Sequence, residues 1–124
     1  CVVAERVFDV KSGLDDDWEE ILDVVADRCR HIHARVGYAE GPQVPDPAAP
    51  EYRTTLEQHE VWWDAILSRQ AAKGVSLMTV EPEHGTNGYQ HQLPYTQIEV
   101  ADLWVVNNWI KDRERERMSK QPYW

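Results

Sequence analysis

Two stretches place chemically capable side chains two residues apart. In Arg30-His31-Ile32-His33-Ala34-Arg35-Val36-Gly37-Tyr38, the polar His31, His33 and Arg35 alternate with Ile32, Ala34 and Val36. An extended chain sends successive side chains to opposite faces, so the two imidazoles and the guanidinium share one face and the aliphatic groups the other. Such a polar face makes a poor core. It suits a divalent metal and an oxygen-rich anionic or polyol ligand. An edge strand with a solvated face would show the same pattern, and a His-x-His pair alone does not separate the two readings. The second stretch, Glu81-Pro82-Glu83-His84-Gly85, repeats the spacing with carboxylates. Two carboxylates beside two imidazoles could bind a metal and also move a proton.

The elements that must position these residues follow from periodicity. Apolar residues at Trp18, Ile21, Leu22, Val25 and Cys29 fall at helical spacing, behind the acidic entry Asp15-Asp16-Asp17. The His-x-His strand follows directly. Tyr38 to Pro50 holds four prolines and Gly41, which reads as a loop with a stiff path, long enough to carry function. A second helix is expected over Glu51 to Lys73, with Leu56, Trp63, Ile66 and Leu67 inward and Gly74 as its stop. Val75 to Val80 is rich in β-formers and predicts the next strand, running into the two glutamates. After a loop from Gly85 to Glu99, a last helix is expected from about Val100, with Val100, Leu103, Trp104, Asn107 and Ile110 along its inner side. Its charged end, Lys111 to Lys120, reads as a solvated face. At the start of the chain, Cys1 to Asp9 reads as a strand end and Lys11 to Asp17 as a turn.

Strand–helix alternation with crossover helices predicts parallel strands in an α/β fold, and it puts the polar groups at the C-terminal strand ends, where α/β folds bind ligands. The chain's 124 residues suffice for one small domain. The formal net charge of −9 argues against a nucleic-acid partner. No apolar run approaches the ~20 residues that cross a bilayer. Two cysteines, Cys1 and Cys29, suggest reduced thiols in a cytoplasm. A start at Cys1-Val2-Val3 reads as though cut from something longer.

Together these motifs resemble a known family. Val80-Glu81-Pro82-Glu83-His84-Gly85, then Leu93-Pro94-Tyr95-Thr96 and Val100-Ala101-Asp102-Leu103-Trp104, look like the C-terminal end of the xylose isomerase-like TIM barrels, the sugar phosphate isomerase/epimerase proteins. His31 to Gly37 with Gly41-Pro42-Gln43-Val44 is similar to that family's seventh strand and loop. The resemblance covers essentially the whole chain, 1–124, as a single partial domain: strands seven and eight of a (β/α)8 barrel with the last three helices. It implies a divalent cation (Mn2+, Mg2+, Co2+ or Zn2+) and proton transfer between adjacent carbons of a sugar, sugar phosphate or polyol. It further implies His33 and Glu83 as metal ligands, Glu83 as catalytic acid or base, and Arg35 on substrate oxygens. Glu81 is a rival for the role of Glu83, and His31 supports the substrate site.

Other residues carry plainer expectations. His59 reads as a packing histidine, and His84 and His91 as solvated loop histidines. Trp62, Trp63, Trp104 and Trp109 read as core, whereas Tyr89 and Tyr95 are candidates to stack on a sugar ring. The family's strand-five Glu and strand-six Asp-x-x-His have no counterpart here. The expectation is therefore a fragment that needs the N-terminal half of the barrel, is inactive and poorly soluble alone, and is compatible with a homo-oligomer. The competing functions are an abasic-site endonuclease-like barrel, which the charge opposes, and a non-catalytic barrel relative.

Overall fold

The computed structural model describes residues 18–86 and 88–121. The expectations for 1–17, and for the Trp18 side chain, lie outside the described residues. Helix α1 (Trp18–Arg28) leads into strand β1 (His31–Ala34). A long loop and a 3-10 turn (Pro50–Tyr52) precede helix α2 (Arg53–Ala72). Strand β2 (Thr79–Pro82) follows, and helix α3 (Leu103–Ser119) ends the order. The two strands pair in parallel, with His31 opposite Thr79, Ile32 opposite Val80, His33 opposite Glu81 and Ala34 opposite Pro82. The chain is thus mixed α/β with a parallel pair joined through a helix, as the alternation predicted.

The core lies on one face of this pair. Ile32, Ala34 and Val36 are buried there with Leu56, Trp63, Ile66 and Leu67 of α2 and Val106 and Ile110 of α3. Burial of these groups is the main driving force for laying the helices on the sheet. Ion pairs tie α2 to α3 behind the core: Arg113 meets Glu60, and Arg117 reaches Asp64 at 2.6 Å; within α3, Arg117 also pairs with Glu114 at 2.7 Å. Glu114 is buried, which raises its carboxyl to about 7 against the opposing pull of Arg117.

Three details differ from the sequence expectation. Strand β2 begins at Thr79, not Val75, because the ladder starts where β1 supplies a partner; Val75 to Met78 have β-propensity but no paired strand beside them among the described residues. Helix α3 starts later than Val100, because Asp102 caps it by accepting from the backbone N–H groups of Trp104 (2.8 Å) and Val105 (3.1 Å). Packing turns Val106, Ile110 and Glu114, four apart, inward and leaves Trp104 78% exposed. Among the tryptophans read as core, Trp62 and Trp63 are buried and Trp109 packs partly against the core.

Candidate metal and proton-transfer site

The face of the strand pair opposite the core holds His31, His33 and Glu81. Alternation along β1 buries Ile32 and Ala34 and leaves His31 and His33 half-exposed. Parallel register sets Thr79 and Glu81 beside them, and Glu83 follows one step beyond the ladder, its N–H donating to the Ala34 carbonyl at 3.4 Å. Ligand atoms of His31, His33 and Glu81 all lie within 4.8 Å of one another. A transition metal about 2.0–2.2 Å from N and O ligands spaces them roughly 3–3.5 Å apart. The 3.5 Å separation of His31 Nε2 and Glu81 Oε2 already meets that spacing.

What each imidazole does with its second nitrogen is informative. Nδ1 of His31 lies 2.6 Å from the Thr79 hydroxyl, and Nδ1 of His33 lies 2.9 Å from a Glu83 carboxylate oxygen. Both rings are therefore held through Nδ1, and Nε2 of His31 faces Glu81 Oε2 at 3.5 Å. Histidine ligands of metals are commonly oriented this way, and the partner selects the tautomer. The rings meet edge-to-face with centroids 4.6 Å apart. The buried thiol of Cys29 donates to the His31 carbonyl at 3.1 Å and supports the strand entry.

Arg35 continues the polar face beyond β1, and its guanidinium stands 5.0 Å from the centre of the Tyr89 ring. A cation over an aromatic face is attracted by the ring quadrupole. Tyr89 thus has a place in the site, beneath Arg35. Tyr95 has no contact that ties it to the cluster; it is fully exposed, with φ 64° in the left-handed region.

Loops close around this edge through contacts no short motif announces. After Gly37 the chain doubles back, Tyr38 and Gly41 exchanging backbone bonds at 2.9 and 3.1 Å and Val44 N–H donating to Val36 at 2.8 Å. A Cβ on Gly37 would sit 3.1 Å from the Pro42 carbonyl oxygen, a tight contact that favours glycine at the close return. Gly37 N–H donates to Nε2 of His59, whose Nδ1 lies 2.8 Å from the Thr55 carbonyl. His59 is 1% exposed and couples α2 to the strand end; burial lowers its pKa to about 4. The Tyr38 hydroxyl meets Nε2 of exposed His91 at 3.1 Å, joining the two long loops. Burial raises the Tyr38 phenol.

His84 overturns its expectation as a solvated histidine. It is 4% exposed, and neither ring nitrogen has a hydrogen-bond partner. Burial first, then the positive charge of Arg35, lowers its pKa to about 4. Its neighbours explain the burial: Asn107 on α3 and Gln43 in the first loop grip the backbone at His84 and Gly85. Sequence reading placed Asn107 on the inner side of the helix without a role, and left Gln43 as part of a motif.

No family model, curated protein or solved structure matches the chain. No helix among the described residues is long and apolar enough to cross a membrane.

Proposed function

We propose that this chain carries part of a divalent-metal site that moves a proton between adjacent carbons of a sugar, sugar phosphate or related polyol, as the C-terminal portion of a xylose isomerase-like (β/α)8 barrel. The observation that carries it is the paired arrangement of His31 and His33, each held at Nδ1, with their ligand atoms and that of Glu81 within 4.8 Å of one another and His31 Nε2 facing Glu81 at 3.5 Å. In this reading His31, His33 and Glu81 hold the cation, which polarises a substrate oxygen. Glu83 orients His33 with one oxygen and accepts the substrate proton with the other. Arg35, steadied by Tyr89, binds substrate oxygens through its planar fork. His33, Arg35, Glu81 and Glu83 lie toward the C-terminal ends of the parallel pair, the edge where barrels of this kind react, while His31 opens β1.

The remaining surface supports a partner that completes the barrel. The polar face has no covering layer among the described residues, and apolar side chains stand exposed at both flanks, Val24 on α1 and Trp104 and Val105 on α3. In a ring of helices such flanks pack on neighbours.

Calorimetric titration with Mn2+ and Zn2+ tests the ligand set. His31→Ala, His33→Ala and Glu81→Ala should each abolish measurable binding, and Glu83→Ala should weaken it about 10–100-fold as an orienting group does. Binding that survives Glu81→Ala and is lost in Glu83→Ala would make Glu83 the carboxylate ligand. Solvent deuterium exchange into aldoses, ketoses and their phosphates, followed by proton NMR with the rest of the barrel supplied, tests the chemistry. A metal-loaded protein that exchanges no substrate C–H would refute the isomerase reading and leave a non-catalytic binding barrel.

A further inference from the structure

Strand β2 ends on a residue that cannot hold it. Pro82 fills the last ladder position and has no N–H to donate. Beyond it, Glu83 is tied to β1 by the 3.4 Å bond from its N–H to the Ala34 carbonyl. Yet the Glu83 carboxylate must stay within hydrogen-bond reach of His33 if it is to select that ring's tautomer.

Two amide side chains secure the next two residues, each in the same two-pronged way. Asn107 accepts from the His84 N–H through Oδ1 at 2.8 Å and donates through Nδ2 to the His84 carbonyl at 3.0 Å. Gln43 accepts from the Gly85 N–H through Oε1 at 2.7 Å and donates through Nε2 to the Gly85 carbonyl at 3.1 Å. A residue gripped at both its N–H and its carbonyl has little freedom to rotate or shift, and the two grips are on consecutive residues. They also come from different elements, one from helix α3 and one from the loop after β1. Gln43 is 1% exposed, so water cannot compete for its amide. Its Nε2 also reaches the Gln90 Oε1 at 3.2 Å, and Gln90 Nε2 donates to the Ala101 carbonyl at 2.7 Å, which links the grip to the start of α3.

We infer that Gln43 and Asn107 are positioning residues of the candidate site: by clamping the backbone at His84 and Gly85 they hold the Glu83 carboxylate on Nδ1 of His33. This rests on the metal-site reading for its functional meaning, but the clamp itself has a readout that needs no metal. A ring nitrogen carries the proton that its partner demands, so wild-type His33 should be the Nδ1–H tautomer.

The test uses the full chain and the variants Gln43→Leu and Asn107→Leu, with Gln43→Glu and Asn107→Asp as milder forms that keep the acceptor and lose the donor. Leu67→Ala, a cavity in the α1–α2 side of the core, serves as a control of comparable stability loss. Long-range 1H–15N spectra above the imidazole titration range report the His33 tautomer, and Zn2+ titration reports affinity. The expected result is loss of the Nδ1–H tautomer and about tenfold weaker Zn2+ binding in both Leu variants, a smaller change in the Glu and Asp variants, and no change in Leu67→Ala. Should the Leu variants not fold, the Glu and Asp variants decide the matter by the same two readouts. A wild-type tautomer retained in every folded clamp variant, or an equal change in Leu67→Ala, would overturn the inference. If wild type shows the Nδ1–H tautomer, sensitive to the clamp, but binds no Zn2+ or Mn2+, the clamp stands and the metal reading falls.

Discussion

Replacing His84 by Leu should make the protein less sensitive to acid by an amount the structure specifies. His84 is buried with both ring nitrogens unpartnered, so the folded state holds it neutral, with a pKa lowered from 6.5 to about 4. The unfolded chain takes up the proton near 6.5 and the folded chain does not until about 4. Below 6.5 the unfolded state therefore binds more protons, and stability falls as pH falls through this window. At about pH 5 the uptake favours unfolding by ~2 kcal/mol relative to about pH 8, a substantial share of the ~5–15 kcal/mol typical of a domain. His59 acts in the same direction, because its pKa is also lowered to about 4 and protonating Nε2 would break the bond from Gly37. Glu114 acts in the opposite direction, since a carboxyl raised to about 7 gains relative stability as pH falls. A single stability curve mixes all three.

The difference between wild type and His84→Leu isolates the one residue. Leu has similar bulk and leaves no polar atom unpaired, so at about pH 8 the variant should be as stable as wild type or slightly more so. Denaturant unfolding at a series of pH values should then show the variant's advantage growing by ~2 kcal/mol between about pH 8 and about pH 5. Parallel curves for the two proteins would refute the reasoning and show that the folded state protonates His84 as readily as the unfolded chain does.

Two further outcomes follow from local geometry. Asp102→Ala removes the acceptor for the Trp104 and Val105 N–H groups and should lower stability by about 1 kcal/mol, read by thermal unfolding, with the loss confined to the first turn of α3 in amide exchange. Gly37→Ala drives a methyl to 3.1 Å from the Pro42 carbonyl oxygen and should cost about 1–3 kcal/mol; a melt unchanged from wild type would show that the loop gives way freely.

The sequence by itself determined the local order of this chain. Helical spacing in 18–28 and 53–72 and the alternation of His31, Ile32, His33 and Ala34 are period effects, written in side-chain order and independent of distant partners. Because alternation is a property of extended backbone, the shared face of His31, His33 and Arg35 was legible before any fold was known. So was a parallel strand pair, because a helix-length crossover allows no hairpin. Tertiary structure decided what depends on contact at long range. The register sets Glu81 opposite His33 and within 4.8 Å of both imidazoles, while Glu83 meets Nδ1 of His33 at 2.9 Å, and nothing in 75–83 alone assigns the two carboxylates these places. The start of β2 followed its partner strand, the start of α3 followed its cap, and the packing of α3 put Trp104 outside and Asn107 against the backbone of His84. The burial of His84 could not be read from Glu-His-Gly, because it comes from a loop and a helix that meet there, about 40 residues before it (Gln43) and about 20 after it (Asn107). A side chain's neighbours along the chain set its direction, but only the packed fold sets whether water reaches it.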